Sequence, residues 1–128
     1  MTPTEALHQH QQLCDELHAL SLEENSFLQQ HRRAPGPELA DRKRQLLERL
    51  DAVLGALRTA PKGALGEPSL RQALDATRAR VLQILQLERE NEQLLLRVSL
   101  GAHRVATPAP ALPPGMLQKI YQRHGGTP

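Results

Sequence analysis

Apolar residues recur at alternating spacings of four and three through three separate stretches of this 128-residue chain, a period that belongs to helices packed along their lengths. The first stretch reads Ala6, His10, Leu13, Leu17, Leu20, Glu24, Phe27, His31. The second reads Leu39, Lys43, Leu46, Leu50, Val53, Leu57, with Leu47 and Leu54 widening the stripe. The third, the longest, reads Leu70, Leu74, Thr77, Val81, Ile84, Glu88, Asn91, Leu95, Val98. Pro and Gly break the pattern at 34–37, 60–68 and 101–115. Thr4 with Glu5 behind it offers a first cap, Ser69 after Pro68 another, and Gly101 a stop. Phe27 and Tyr121 are the only aromatic residues and Trp is absent, so the interior has to be built from Leu, Val, Ile and Ala. That composition suits helices side by side and argues against a β-sandwich.

The expected fold is all-α: an antiparallel three-helix bundle, or a long coiled-coil-like hairpin, over residues 1–101, with helices at about 4–33, 38–59 and 69–100. Short connections make consecutive helices antiparallel. At 1.5 Å per residue the outer two helices would be about 45 Å long and the middle one about 30 Å, so apolar surface should be left uncovered. Residues 102–128 read as a flexible, Pro-rich basic tail. Within it, segment 115–124 carries Met116, Leu117, Ile120 and Tyr121 on one helical face, a short apolar peptide on a tether.

The net charge of +2 is too small to imply nucleic acid. Its distribution is uneven: residues 1–33 carry two Arg against five acids, whereas 102–128 carry Arg104, Lys119 and Arg123 and no acid. A basic tail on a near-neutral body suits an acidic docking partner. Single Cys14 forms no internal disulfide, and no secretory leader pattern precedes it, so a cytoplasmic location is expected. No apolar run approaches the roughly 20 residues of a spanning helix, so no stable membrane insertion is expected.

Candidate chemistries are few. His10, Cys14 and His18 share a helix face, but their span of about 12 Å is too long for one metal ion, and no second ligand pair appears. Nothing in the sequence supplies Cys14 with an oxyanion arrangement or an orienting Asn or Asp, and Gly-rich phosphate loops are absent. Arg42, Lys43 and Arg44 sit beside Glu38 and Asp41 and read as salt-bridged helix surface rather than a DNA-binding block. The chain is therefore expected to be no enzyme and to need no cofactor or metal. The rival readings are a self-associating coiled-coil scaffold and a small helical enzyme resembling chorismate mutase, whose texture RQLLERLDAVLGALR shares. The most informative stretch is VLQILQLERENEQLLLRVSL, residues 81–100. Leu94, Leu95 and Leu96, about 100° apart in turn, cover roughly 200° of the helix, more than one neighbour buries. Glu88 and Asn91 interrupt that apolar seam, a pattern that fixes register.

These pieces resemble the FlgN-like flagellar export chaperones. ALSLEENSFLQQ followed by ELADRKRQLLERLDAVLGAL looks like the family's early pattern, LERENEQLLLRVSLG like its closing helix, and KIYQRHG like its terminal Tyr with a polar stretch and Gly. The chain departs from the family at Glu88, where a second Asn is expected. The resemblance implies a cytoplasmic, non-enzymatic helical protein that holds the amphipathic C-terminal segment of hook-associated flagellar proteins and delivers it to an export-gate component. It implies client binding by Ile84, Leu87, Asn91, Leu94, Leu95 and Val98 and gate docking by Leu117, Ile120 and Tyr121, in a monomer or weak homodimer.

Overall fold

The computed structural model describes residues 2–59, 68–101 and 115–125, and these form four helices and no strand. They are α1 (Pro3–His31), α2 (Pro37–Arg58), α3 (Pro68–Gly101) and α4 (Met116–Arg123). Two caps differ from the sequence expectation by one or two residues. Thr2, not Thr4, caps α1: Pro3 lacks an N–H and has its φ preset, so it takes the first helical position and moves the cap to its predecessor. Thr2 Oγ1 accepts from Glu5 N at 3.1 Å and Glu5 Oε2 accepts from Thr2 N at 3.4 Å, a reciprocal capping box. Likewise α3 begins at Pro68, which places Ser69 inside its first turn. α1 closes with Arg32 in the left-handed region at φ 50, its N–H bonded to Leu28 O.

Cross-helix contacts fix the topology. Glu23 and Glu24, in the last third of α1, pair with Arg42 and Lys43, in the first third of α2, across the short connection between the two helices, so α2 returns antiparallel to α1. Along α3 the partners rise together, Gln11 with Ala73, Asp15 with Arg80, Ser21 with Glu88 and Asn25 with Asn91, so α3 runs parallel to α1. The bundle is thus up, down, up, as two antiparallel steps require. α1 is its hub, packing along both α2 and α3. A second buried row explains this role: besides Leu13, Leu17 and Leu20, α1 buries Leu7, Cys14, Ser21 and Leu28, each seven residues apart. Small Cys14 and Ser21 let neighbouring backbones approach, so one helix serves two partners.

α4 occupies the trough that α1, α2 and α3 leave. Gly115 N donates to Glu92 of α3 at 3.1 Å, Tyr121 reaches α1, and Arg123 and His124 pair with Asp51 of α2. Leu117, Ile120 and Tyr121 join the core formed by Leu17, Leu47, Leu50, Val53, Val81 and Ile84. The short peptide expected to hang on a tether therefore lies against the bundle, its apolar face inward; segment 102–114, the tether itself, lies outside the described residues. Burial of three large side chains, worth about 1.5–3 kcal/mol each, is what seats it.

Tyr121 brings its hydroxyl 2.8 Å from His10 Nε2 and 4.0 Å from Cys14 Sγ. Burial shapes all three groups. It pulls His10 down to about 4, pushes Cys14 up to about 11 and raises Tyr121 well above the ordinary phenol value. Cys14 is thus a packed, neutral thiol. Between the ordinary imidazole value of 6.5 and about 4, the unfolded chain binds a proton at His10 that the native chain refuses, so stability falls as pH falls through that window. The expected loss is on the order of 3 kcal/mol at its acid end. Urea unfolding at neutral and acid pH should show this slope in the natural chain and a shallower one in His10→Gln, which keeps a polar partner for Tyr121. Identical slopes would mean that His10 is charged in the folded state.

Candidate functional site

Three acidic and basic interruptions of the apolar stripes, Glu24, Lys43 and Glu88, meet at one level of the bundle. Lys43 Nζ lies 3.1 and 3.2 Å from the two oxygens of Glu24 and 2.9 and 3.1 Å from those of Glu88. Ser21 Oγ donates to Glu88 Oε1 at 2.6 Å, Asn91 Nδ2 donates to Ser21 O at 3.0 Å, and Asn25 Nδ2 donates to Asn91 Oδ1 at 2.9 Å. Burial by itself would lower the Lys43 pKa, but the carboxylates of Glu88 and Glu24 outweigh it and hold the ammonium above its ordinary value. The lysine is charged throughout the physiological range and its donors are fully used.

Over this cluster opens a cleft of about 160 Å³ between α2, α3 and the start of α4. Leu39 and Leu47 of α2, Leu85 and Leu95 of α3, and Met116 and Leu117 of α4 form its walls. Glu24, Lys43, Glu88 and Asn91 form its floor, and Arg89 and Glu92 stand at its α3 edge. An apolar wall with a few convergent polar groups is the usual composition of a binding site.

The expected client-binding residues divide three ways. Ile84 and Asn91 are buried in the bundle; Ile84 belongs to the core and Asn91 is tied to Ser21 and Asn25, so Ile84 offers no surface to a partner and Asn91 only the atoms that line the cleft floor. Leu95 lines the cleft. Leu87, Leu94 and Val98 are half-buried outside it. Helical geometry puts Leu87 and Leu94 on the flank of α3 away from the row Leu85, Arg89, Glu92 that borders the cleft. Leu96 extends that row by one turn and is 59 % exposed, and Leu100, a turn further, is 65 % exposed. Leu117, Ile120 and Tyr121, expected to dock on an export gate, are buried, Leu117 within the cleft wall. Leu39, Leu85 and Met116 were not singled out as site residues. Leu39 was visible as part of the α2 stripe, but only the folded arrangement brings it opposite Leu85.

His10 and Cys14 face Tyr121 while His18 lies 3.3 Å from Arg80, and no group of three or more His, Cys, Asp or Glu suited to a metal occurs among the described residues. No helix among them is long and apolar enough to cross a membrane.

The charged floor should be indispensable unless removed whole. Lys43→Met leaves two carboxylates facing each other without a cation and is expected to cost about 3 kcal/mol in urea unfolding. Adding Glu24→Gln and Glu88→Gln should recover most of that loss; a loss below about 1 kcal/mol for Lys43→Met alone would mean the ion pairs behave as solvated surface charge.

Compared with protein-family models, with curated proteins and with solved structures, the chain matches none.

Proposed function

We propose that this chain is a non-enzymatic chaperone that captures an amphipathic helix of a partner protein by helix-in-groove packing. The observation that carries the proposal is the apolar surface of α3 left uncovered beside an apolar cleft: Leu95 in the cleft wall, with Leu96 and Leu100 exposed along the helix beyond it. An exposed run of large aliphatic side chains rimmed by charge, here Arg89, Glu92 and Arg97, is the surface expected of a protein-binding site. Capture would exchange water over these leucines for the partner's apolar face and so keep that partner from premature assembly.

The resemblance of the sequence to FlgN-like chaperones supplies the finer reading, that the partner is the C-terminal segment of a hook-associated flagellar protein held in the cytoplasm before export. The same resemblance gives Leu117, Ile120 and Tyr121 a docking role at the export gate. Because their side chains are buried, docking through them requires α4 to leave the trough first. The fold supports capture directly and leaves delivery to that second step.

Full burial of one leucine is worth about 1.5–3 kcal/mol, so Leu95→Asp and Leu96→Asp should each weaken capture by about tenfold or more. Leu96→Asp, at an exposed position, should leave helicity and urea midpoint unchanged. Isothermal titration with a candidate partner segment, alongside light scattering, checks this: one-to-one complexes of a monomer fit, whereas a stable homo-oligomer that takes up no partner would favour a self-associating scaffold.

A further inference from the structure

The floor of the cleft is not electrically balanced. Among the described residues of the lining, one ammonium, Lys43, is shared between two carboxylates, Glu24 and Glu88, and the other charged side chains, Arg89 and Glu92, cancel. One negative charge is left over. Its position follows from exposure: the Lys43 side chain is 6 % exposed, those of Glu24 and Glu88 19 % and 22 %. The cation is the most deeply buried of the three, and the carboxylates beside it in the cleft lining keep more of their surface exposed. Neutral donors at this level, Ser21 and Asn91, are already committed within the bundle.

An occupant that covered the cleft with carbon alone would strip water from this surplus charge and leave it unpaired, a penalty that discriminates against purely apolar ligands. An acidic occupant would be rejected more strongly. An ammonium or guanidinium would form charge-assisted hydrogen bonds to Glu24 and Glu88 and complete the alternation of charge begun by Lys43. Shape agrees with charge, because Lys and Arg carry an apolar stem below a charged head, and here apolar walls of Leu39, Leu85 and Met116 lead to an acidic floor.

We infer that the captured helix carries a basic side chain, Lys or Arg, on its otherwise apolar face, and that this side chain inserts into the cleft to pair with Glu24 and Glu88. The inference rests on helix capture and adds to it the chemistry that selects the partner. Glu24 and Glu88 are then specificity-determining residues, while the leucines of α3 supply sequence-tolerant burial.

The test uses the full chain and synthetic amphipathic peptides of about 18 residues, long enough to be helical when bound. They share a leucine face in which one position, walked along the face, is Lys, Gln or Glu. By fluorescence anisotropy the best-placed Lys peptide should bind about tenfold tighter than its Gln counterpart, with Glu weakest, and the gap should persist at physiological ionic strength because the pair is partly buried. In Glu24→Gln, checked for folding by circular dichroism, the Lys preference over Gln should shrink to about twofold; Glu88→Gln serves the same purpose should the first variant fold poorly. Equal binding of Lys, Gln and Glu peptides at every position would overturn the basic-residue inference and leave helix capture standing. A Lys preference that survives both substitutions would equally overturn it, by showing attraction to the surface at large. Failure of every peptide to bind the folded natural chain would remove helix capture, and the inference with it.

Discussion

Three helices agree on one alignment because Glu24, Lys43 and Glu88 can satisfy one another at only one level. Leucine seams are permissive: sliding a helix by a turn, about 5.4 Å, exchanges one leucine contact for another at small cost. A buried ammonium is not permissive. Moved by one turn, Lys43 would face aliphatic carbon instead of the two carboxylates 2.9–3.2 Å away, and an uncompensated buried charge costs several kcal/mol. The contacts Ser21 to Glu88, Asn91 to Ser21 and Asn25 to Asn91 tie the lock to backbone as well as side chain. Register is therefore set by a polar cluster that contributes little net stability over a hydrophobic substitute, the trade long attributed to polar groups in helical seams.

That lock was half legible in the sequence. Each of Glu24, Lys43 and Glu88 stands in an apolar stripe where the period demands an inward position; for Lys43 that period prevails over its reading with Arg42 and Arg44 as salt-bridged surface, since it is buried while they are exposed. Their meeting does not follow from spacing, because periodicity fixes which face a residue takes and says nothing about the level at which two helices align. The same distinction governs the hub. α3 has the richer leucine content and seemed to need two neighbours, yet α1 is the helix that has them. The row Leu7, Cys14, Ser21, Leu28 sets two small residues between leucines, and small residues are what close packing on a second side requires.

The fourth helix teaches a similar lesson about amphipathic peptides. Leu117, Ile120 and Tyr121 were readable as one apolar face, and such a face carries no label saying whether it is buried in its own bundle or offered to another protein. What decides is a complementary trough. His10, an apparent polar intrusion on α1, supplies the polar atom that the Tyr121 hydroxyl needs once buried, 111 residues away in sequence. A tyrosine buried without such a partner would have carried an unsatisfied hydroxyl, so the His10–Tyr121 bond makes burial of the whole face affordable.

The open surface is a consequence of these lengths. α1 and α3 span 29 and 34 residues, whereas α2 has 22 and α4 only eight. Two short helices laid against two long ones cannot cover the whole of the long pair, and the deficit falls where α4 begins and α3 continues, beside Leu95, Leu96 and Leu100. The lock lies at the floor of that same deficit. Two demands therefore converge on one set of side chains: the carboxylates must hold Lys43 to align the bundle, and they must remain accessible enough to be hydrated, since two acids and one base cannot all be sealed from water. An opening above the cluster meets the second demand, and it is this solvent-facing, negatively biased edge of a structural lock that gives the cleft a chemical preference rather than mere greasiness.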